Sequence, residues 1–236
     1  MAITVNTGFD SVDKAYQKMF KTITDGLEHK YGMSFDLIAF NNSSIDHMFI
    51  VRSRCRLIEK PAVVVSAELN SYTKEIKDDF PKRMLNALAT ESVEKQMESA
   101  GVSCLVQADL SGKDFDWHQT SFESLIDQHD DLLLAVDFIV NETQDVKSLY
   151  DAISKMMNRF YEINNSIRIG TKIWVFDQKT VRKIQNERMN YSFVSSSSME
   201  QLNPISSATL ALLDGKVNKD SAQFCIEIGE YKGDNL

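Results

Sequence analysis

The stretch LLLAVDFIVNETQDVKSLYDAISKMMNRF, residues 132–160, decides the fold class. Its first part, Leu132 to Val140, is nearly all apolar, which is typical of a strand buried on both faces. The second part begins at a cap, Asn141 or Thr143, and then repeats apolar residues at helical spacing. This stripe consists of Val146, Leu149, Tyr150, Ile153, Met156, Met157 and Phe160. A central strand followed directly by an amphipathic helix predicts a layered domain of sheet and helices.

Helices and strands are interspersed on both sides of this stretch, without a regular strand-helix-strand order. Helical spacing is found from Phe9 to Leu27 and again from Tyr72 to Ala100, and a basic helix is expected over 178–189. Strands are expected over 35–40, 48–58, 62–69, 102–108 and 167–176, with a hairpin around Pro61. The order favours an α+β fold. We expect a mixed, mostly antiparallel sheet packed by three or four amphipathic helices, with a C-terminal β arm.

A serine-rich segment divides the predicted domain from the end of the chain. Residues 195–207 contain a run of serines and Pro204, which is typical of a linker. The predicted organisation is therefore an α+β domain over 1–194, a linker over 195–207 and an arm over 208–236. The arm holds an alternating strand, in which Phe224 and Ile226 are candidate protein-binding residues because such a strand can add to a neighbour's sheet edge.

Composition narrows the functional class. The chain has 236 residues, a hydrophobic fraction of 43% and three cysteines, without a C-x-x-C pair, so neither a disulfide framework nor a structural zinc site is expected. The first residues, MAITVNTGFDSV, lack the pattern of a signal peptide, so we expect a cytoplasmic or virion protein that is not secreted by this route and does not enter membranes. The usual nucleotide-phosphate loops are missing, so no cofactor is expected.

Charge is strongly regional. Residues 114–145 hold nine carboxylates and neither Lys nor Arg, whereas the whole chain has a net charge of -8. Such a region attracts cations or basic partners, and Asp127, Asp130 and Asp131 are its candidate protein-binding residues. A basic counterpart follows from the alternation of Arg52, Arg54 and Arg56, which places three guanidinium groups on one face of a strand.

The partner of the three arginines depends on the hairpin register. A three-residue hairpin loop would place Arg54 opposite Glu68, whereas a two-residue loop would put Glu68 on the other face, and the register stays open. Internal pairing or solvation is one interpretation of these arginines. Binding of an external anionic partner is the other.

The acidic stretch also supports an enzymatic hypothesis. In extended chain, Asp114, Asp116 and His118 would share one face, and His129, with Asp127, could add ligands for a divalent metal. A metal-bound water is a nucleophile near neutral pH, so a metal-dependent hydrolase or nuclease is the first alternative. The other interpretation is a solvated acidic loop anchored by its aromatic residues.

A nucleic-acid-binding module is the second alternative. The segment from Arg168 to Arg188 is basic, and Trp174 alternates onto one strand face with Arg168 and Lys172, while Arg182 follows on the next helix. Basic and aromatic side chains on one face can neutralise phosphates and stack on bases. A tryptophan in a strand is, however, also typical of a core.

The preferred function is a non-enzymatic subunit for protein-protein interaction. Opposite charged regions on one chain favour contacts between copies or with other subunits. Head-to-tail contacts close into rings or propagate as tubes, and a bacteriophage virion, neck or tail protein is one such component. We therefore expect a homo-oligomer or a subunit of a protein assembly. Nucleic acid is the less favoured partner because the sequence pI is about 5.1.

Overall fold

We describe the protein from a computed structural model. The structure describes residues 12–41, 50–70, 72–112, 116–119, 121–188, 196–213 and 215–217. Within these ranges, none of the helices has the combination of length and apolar character that crossing a bilayer requires.

The chain divides into two compact units, Met1–Arg83 and Met84–Leu236. The elements of the first unit are α1 (Val12–Tyr31), β1 (Phe35–Asn41), β2 (Ile50–Leu57), β3 (Val64–Asn70) and β4 (Ile76–Asp78). Helix α2 (Phe80–Ser99) begins at the end of the first unit and continues into the second. The further elements of the second unit are β5 (Leu105–Ser111), α3 (Phe122–Gln128), β6 (Leu133–Asn141), α4 (Val146–Ile163), β7 (Arg168–Phe176), α5 (Gln178–Arg188), α6 (Ser196–Gln201), β8 (Ser206–Leu213) and β9 (Lys216–Val217).

The first unit is an antiparallel sheet packed by α1. Its strands follow one another in the order β1-β2-β3-β4, because short connections join antiparallel neighbours. Ile23 and Leu27 of α1 are fully buried, as is Cys55 of β2. Gly32, with a φ of 67°, ends the helix in a left-handed conformation that glycine adopts without steric cost.

The second unit is a mixed sheet with helices on both faces. The strand order is β5-β6-β7-β8-β9, and β6 and β7 are parallel because α4 crosses over between them. The larger core joins α2, α3 and α4 to one face of the sheet. A smaller core, formed by Ile139, Trp174, Phe176, Ile184 and Met199, joins α5 and α6 to the other face.

Helix α2 also closes the outer edge of the sheet. The backbone N–H groups of Ala108 and Leu110 in the edge strand β5 point away from β6 and need acceptors. The hydroxyl of Thr90 accepts from Ala108 at 3.1 Å, and the side-chain oxygen of Asn86 accepts from Leu110 at 2.9 Å. These two side chains lie one turn apart on α2, so a single helix face satisfies an edge that would otherwise be open to pairing.

The α+β prediction is confirmed: helices pack against open sheets with mostly antiparallel pairing. Within the part of the chain that the structure describes, the strands form two sheets, of four and five strands. The predicted boundaries at 194 and 207 stay a prediction. Asp145, not Asn141 or Thr143, caps α4, since its carboxylate accepts from the N–H of Ser148.

The predicted linker contains regular structure. Residues 196–201 form α6, and β8 begins at Ser206 and pairs with β7. In β8, Ala208, Leu210 and Leu212 alternate as buried residues. The serines at the start of this strand are the reason that the sequence indicated a linker here. The first part of the predicted arm is thus a strand of the second sheet. Phe224 and Ile226 lie outside the described residues.

Candidate functional site

One of the three arginines of β2, Arg52, forms an ion pair within the first unit. Arg52 lies opposite Glu68, and its Nε is 2.6 Å from the Glu68 carboxylate. Arg54 lies opposite Ser66, so Glu68 is on the arginine face but pairs with a different arginine than a three-residue loop would give. The loop between the strands runs from Ile58 to Val63, which is longer than the loops considered from the sequence and sets a different register. Arg56 shares the face with Arg52 and Arg54, and both Arg54 and Arg56 are half-buried.

The acidic stretch forms a local turn at its beginning. The Asp116 carboxylate accepts from the backbone N–H of His118, and the same oxygen is 2.6 Å from Nδ1 of the imidazole. These contacts lower the pKa of Asp116 from its usual range, the backbone hydrogen bond first. Both side chains are exposed, and the indole of Trp117 stacks on the imidazole. This is a solvated turn stabilised by its own hydrogen bonds.

The described residues do not form the predicted metal site in the acidic stretch. Asp114 lies outside the described residues, and His129 belongs to the loop after α3. Across the described ranges, the structure brings no three His, Cys, Asp or Glu side chains together as metal ligands.

Trp174 is not available for stacking on a base. Its side chain is only 1% exposed, in the small core under α5 and α6. Trp174 does share a strand face with Arg168 and Lys172, as predicted, but it is the core tryptophan that was the other interpretation of this position. Arg168 begins β7, whereas Arg182 lies on α5, the helix that follows this strand. A buried indole offers no surface on which the bases of a single strand could stack.

A polar row crosses the second sheet beside this core. Strand register aligns Gln107, Asp137, Lys172 and Thr209. The indole N–H of Trp174 donates to Asp137 at 2.8 Å, and the ammonium of Lys172 lies over the indole and 3.2 Å from Glu200 of α6. Burial raises the pKa of Asp137, while the indole hydrogen bond and Lys172 act in the opposite direction.

The sheet beyond the polar row is uncovered among the described residues. Two further rows follow it: Asp109, Ala135, Gly170 and Ala211, and then Ser111, Leu133 and Arg168. Leu133 is 42% exposed, Ala135 is also exposed, and Gly170 and Ala211 are partly exposed. We call Ser111, Leu133, Ala135, Arg168, Gly170 and Ala211 the open face.

A groove continues the open face at the amino ends of β6 and β7. Its volume is about 880 Å³. Its lining residues are Ser111, Gly112, Asp130, Asp131, Leu133, Asn165, Ser166, Ile167 and Arg168. The structure thus brings the predicted acidic residues Asp130 and Asp131 into the same groove as Arg168. Asp127 is exposed on α3 but does not line the groove.

Asn164 organises the loops that carry the groove. Its side-chain N–H groups donate to the carbonyls of Ile126 at 2.5 Å and His129 at 2.6 Å. Its side-chain oxygen accepts from the backbone N–H of Ser166 at 2.9 Å and from the Ser166 hydroxyl at 2.7 Å. All four hydrogen-bonding positions of the amide are thereby used. Sequence reasoning missed this residue, although Asn164-Asn165-Ser166 directly after an amphipathic helix is a turn signal.

The opposite ends of the parallel strands are closed to anions by the chain's own carboxylates. Helices α4 and α5 begin there on opposite faces of the sheet, a place where open sheets often bind ligands. Asp145 and Asp177 each accept the N–H group of the third residue of the helix, Ser148 and Thr180, at 2.8 Å. The hydrogen bond from the N–H of Thr180 lowers the pKa of Asp177.

Comparison with known proteins gives a fold relationship. No family model matches the chain, and no curated protein matches it. The structure is similar to the crystal structure of a DUF5037 family protein from Ruminococcus gnavus, with a TM-score of 0.64 and 13% sequence identity. The similarity covers 88% of this chain and 98% of that chain. At this identity the resemblance shows that the two chains share a fold.

Proposed function

We propose that the protein is a non-enzymatic interaction subunit that assembles with a second copy of itself through the open face. The observation that carries the proposal is the exposure of Leu133 and Ala135 on a half of the second sheet that no other described residues cover. A sheet face that meets water is normally lined by polar side chains. Here, beside Asp109 on the edge strand, one row presents Ala135, Gly170 and Ala211, and the small size of these three residues would let another chain approach closely.

Charge complementarity supports a second copy as the occupant. Consider a two-fold axis that runs parallel to the strands between β6 and β7. It would set β6 of one copy over β7 of the other, so Asp137 would face Lys172, and Ala135 would face Gly170. Leu133 would lie against the aliphatic part of Arg168. Each contact would occur twice, as a two-fold interface requires.

The size of the open face sets the expected strength. Counted together with the polar row, the open face spans four strands at about 4.8 Å and three rows at about 6.6 Å, or roughly 400 Å² on each copy. Stable interfaces bury about 800 Å² on each partner. We therefore expect a weak dimer that forms only at raised concentration and loosens in salt, since the Asp137–Lys172 contacts are partly exposed to solvent.

Light scattering coupled to size-exclusion chromatography tests the proposal, over protein concentrations from about 10 to 500 µM. The wild-type mass should rise above 26.8 kDa with concentration. Ala135→Arg and Leu133→Lys should return it to the monomer value, because each places a charged side chain in the contact. The matched control is Ile58→Lys, at a 48% exposed position of the first unit. A single monomer species at every concentration, or association that Ala135→Arg leaves intact, would contradict the proposal.

A two-fold contact closes on itself, so a ring or a tube needs a second contact. Such a higher assembly, and a place in a bacteriophage virion, neck or tail, stay predictions from the sequence. Arg52, Arg54 and Arg56 are the proposed location of that second contact.

A further inference from the structure

A separate cavity lies among α2, α3 and α4 of the second unit, away from the residues of the open face. Its volume is about 260 Å³, slightly below the range of about 300–1,000 Å³ for sites of drug-sized ligands. The lining is mixed in charge: Glu91 and Glu123 are acidic, while Lys95 and Arg159 are basic. Leu88 and Phe122 add an apolar part. The cavity therefore suits a small molecule that has both charges and an apolar group.

Two of these charges are positioned by one face of α2. The hydroxyl of Ser92 donates to the Glu123 carboxylate at 2.7 Å, and Ser92 is only 7% exposed. The guanidinium of Arg159 donates to the side-chain oxygen of Gln96 at 3.1 Å. Ser92 and Gln96 are four residues apart on the helix, which separates them by about 6 Å along its axis. An acid from α3 and a base from α4 are thus each held against α2, one turn apart.

This arrangement matches a zwitterion. A carboxylate and a guanidinium held apart by neutral hydrogen-bonding groups leave room for a ligand whose own charges are reversed. The ligand's carboxylate would accept from Arg159, a pairing that guanidinium geometry favours, and its ammonium group would donate to Glu123. The apolar group would contact Leu88 and Phe122.

We propose that this cavity binds a free α-amino acid with an uncharged side chain. Arg159 and Lys95 hold its carboxylate, and Glu123 and Glu91 hold its ammonium group. The proposal does not depend on the proposed function, because none of the cavity residues belongs to the open face.

The test is isothermal titration calorimetry of the full chain with uncharged amino acids at up to about 10 mM, a concentration that covers weak sites. For any amino acid that binds, its N-acetyl derivative and its amide are titrated as well, since each lacks one of the two charges. Loss of either charge should weaken binding at least about tenfold. The proposal would be overturned if no amino acid binds, or if the N-acetyl derivative and the amide bind as tightly as the parent amino acid. Neither result requires a variant protein.

Variants then assign the two ends of the ligand. Glu123→Gln should weaken binding of the parent amino acid much more than binding of its N-acetyl derivative, which has no ammonium group. Arg159→Gln should have the converse selectivity, for the amide. Lys155→Gln is the control, because Lys155 is an exposed cation of the same helix that does not line the cavity. If both variants bind the parent amino acid, its N-acetyl derivative and its amide with equally reduced affinity, the substitutions have only damaged the structure. That result would overturn the assignment of the two ends.

Discussion

Asn164→Ala should destabilise the second unit strongly, because one side chain joins three segments. The substitution removes four side-chain hydrogen bonds, to the carbonyls of Ile126 and His129 and from the two donors of Ser166. Each contributes roughly 0.5–1.5 kcal/mol net, so the sum is about 2–6 kcal/mol. Water can enter from the groove and replace some of these bonds, so we expect a loss of about 3 kcal/mol in the free energy of unfolding.

Urea unfolding followed by tryptophan fluorescence measures this loss. The chain has two tryptophans, Trp117 and Trp174, and both belong to the second unit, so the signal reports that unit. The control is Asn165→Ala, the neighbouring amide, which is exposed in the groove. Its effect should stay within about 0.5 kcal/mol, as for most surface positions. If the two variants differ by less than about 1 kcal/mol, Asn164 does not hold the loops together as inferred here.

Three further outcomes follow from buried groups. Burial raises the pKa of the Cys55 thiol to about 11, so at pH 8 its thiolate fraction is about 0.1%. Mass spectrometry after iodoacetamide treatment should find Cys55 unlabelled until urea unfolds the first unit, and labelling in the native protein would contradict its burial. Asp137→Asn should raise the free energy of unfolding at pH 7, because it keeps an acceptor for Trp174 and removes a charge that burial disfavours. The raised pKa of Asp137 means that the wild-type penalty is present above the folded-state pKa and disappears as pH falls toward the unfolded value of 3.8. The gain should therefore shrink on acidification in parallel urea titrations, and a gain independent of pH would refute this origin. The double variant Asn86→Ala, Thr90→Ala removes the two acceptors of β5 and the hydrogen bond that Asn86 donates to Asp109. It should lose about 1.5–4.5 kcal/mol by the same measurement and aggregate more readily by light scattering, since it exposes the edge of β5. Unchanged stability would show that water replaces both acceptors.

Long local repeats predicted much of the secondary structure. The alternation of β7 and the apolar stripe of α4 each continue long enough to exclude the other type of element. The short elements were harder to predict. Strand β4 has only three residues, and β8 begins with serines, which are more typical of a loop. Asp145 and Thr143 are both acceptable caps by type, and only the backbone path decides which of them meets the N–H of Ser148.

The candidate site depended on pairing that local sequence does not determine. The sequence marked Asp130, Asp131 and Arg168 as charged positions of separate segments, and the groove unites them because β6 and β7 lie side by side. Ala135, Gly170 and Ala211 carry no signal individually and become one row only through strand register.

Composition and periodicity by themselves determined the α+β class, the main helices and strands, and the regional charge. These properties depend on neighbouring residues along the chain. The tertiary structure alone decided that Arg52 meets Glu68, that Trp174 is buried and that the open face exists. The physical reason is that register and burial are set by hydrogen bonding and packing between segments distant in sequence, which many local patterns satisfy equally well.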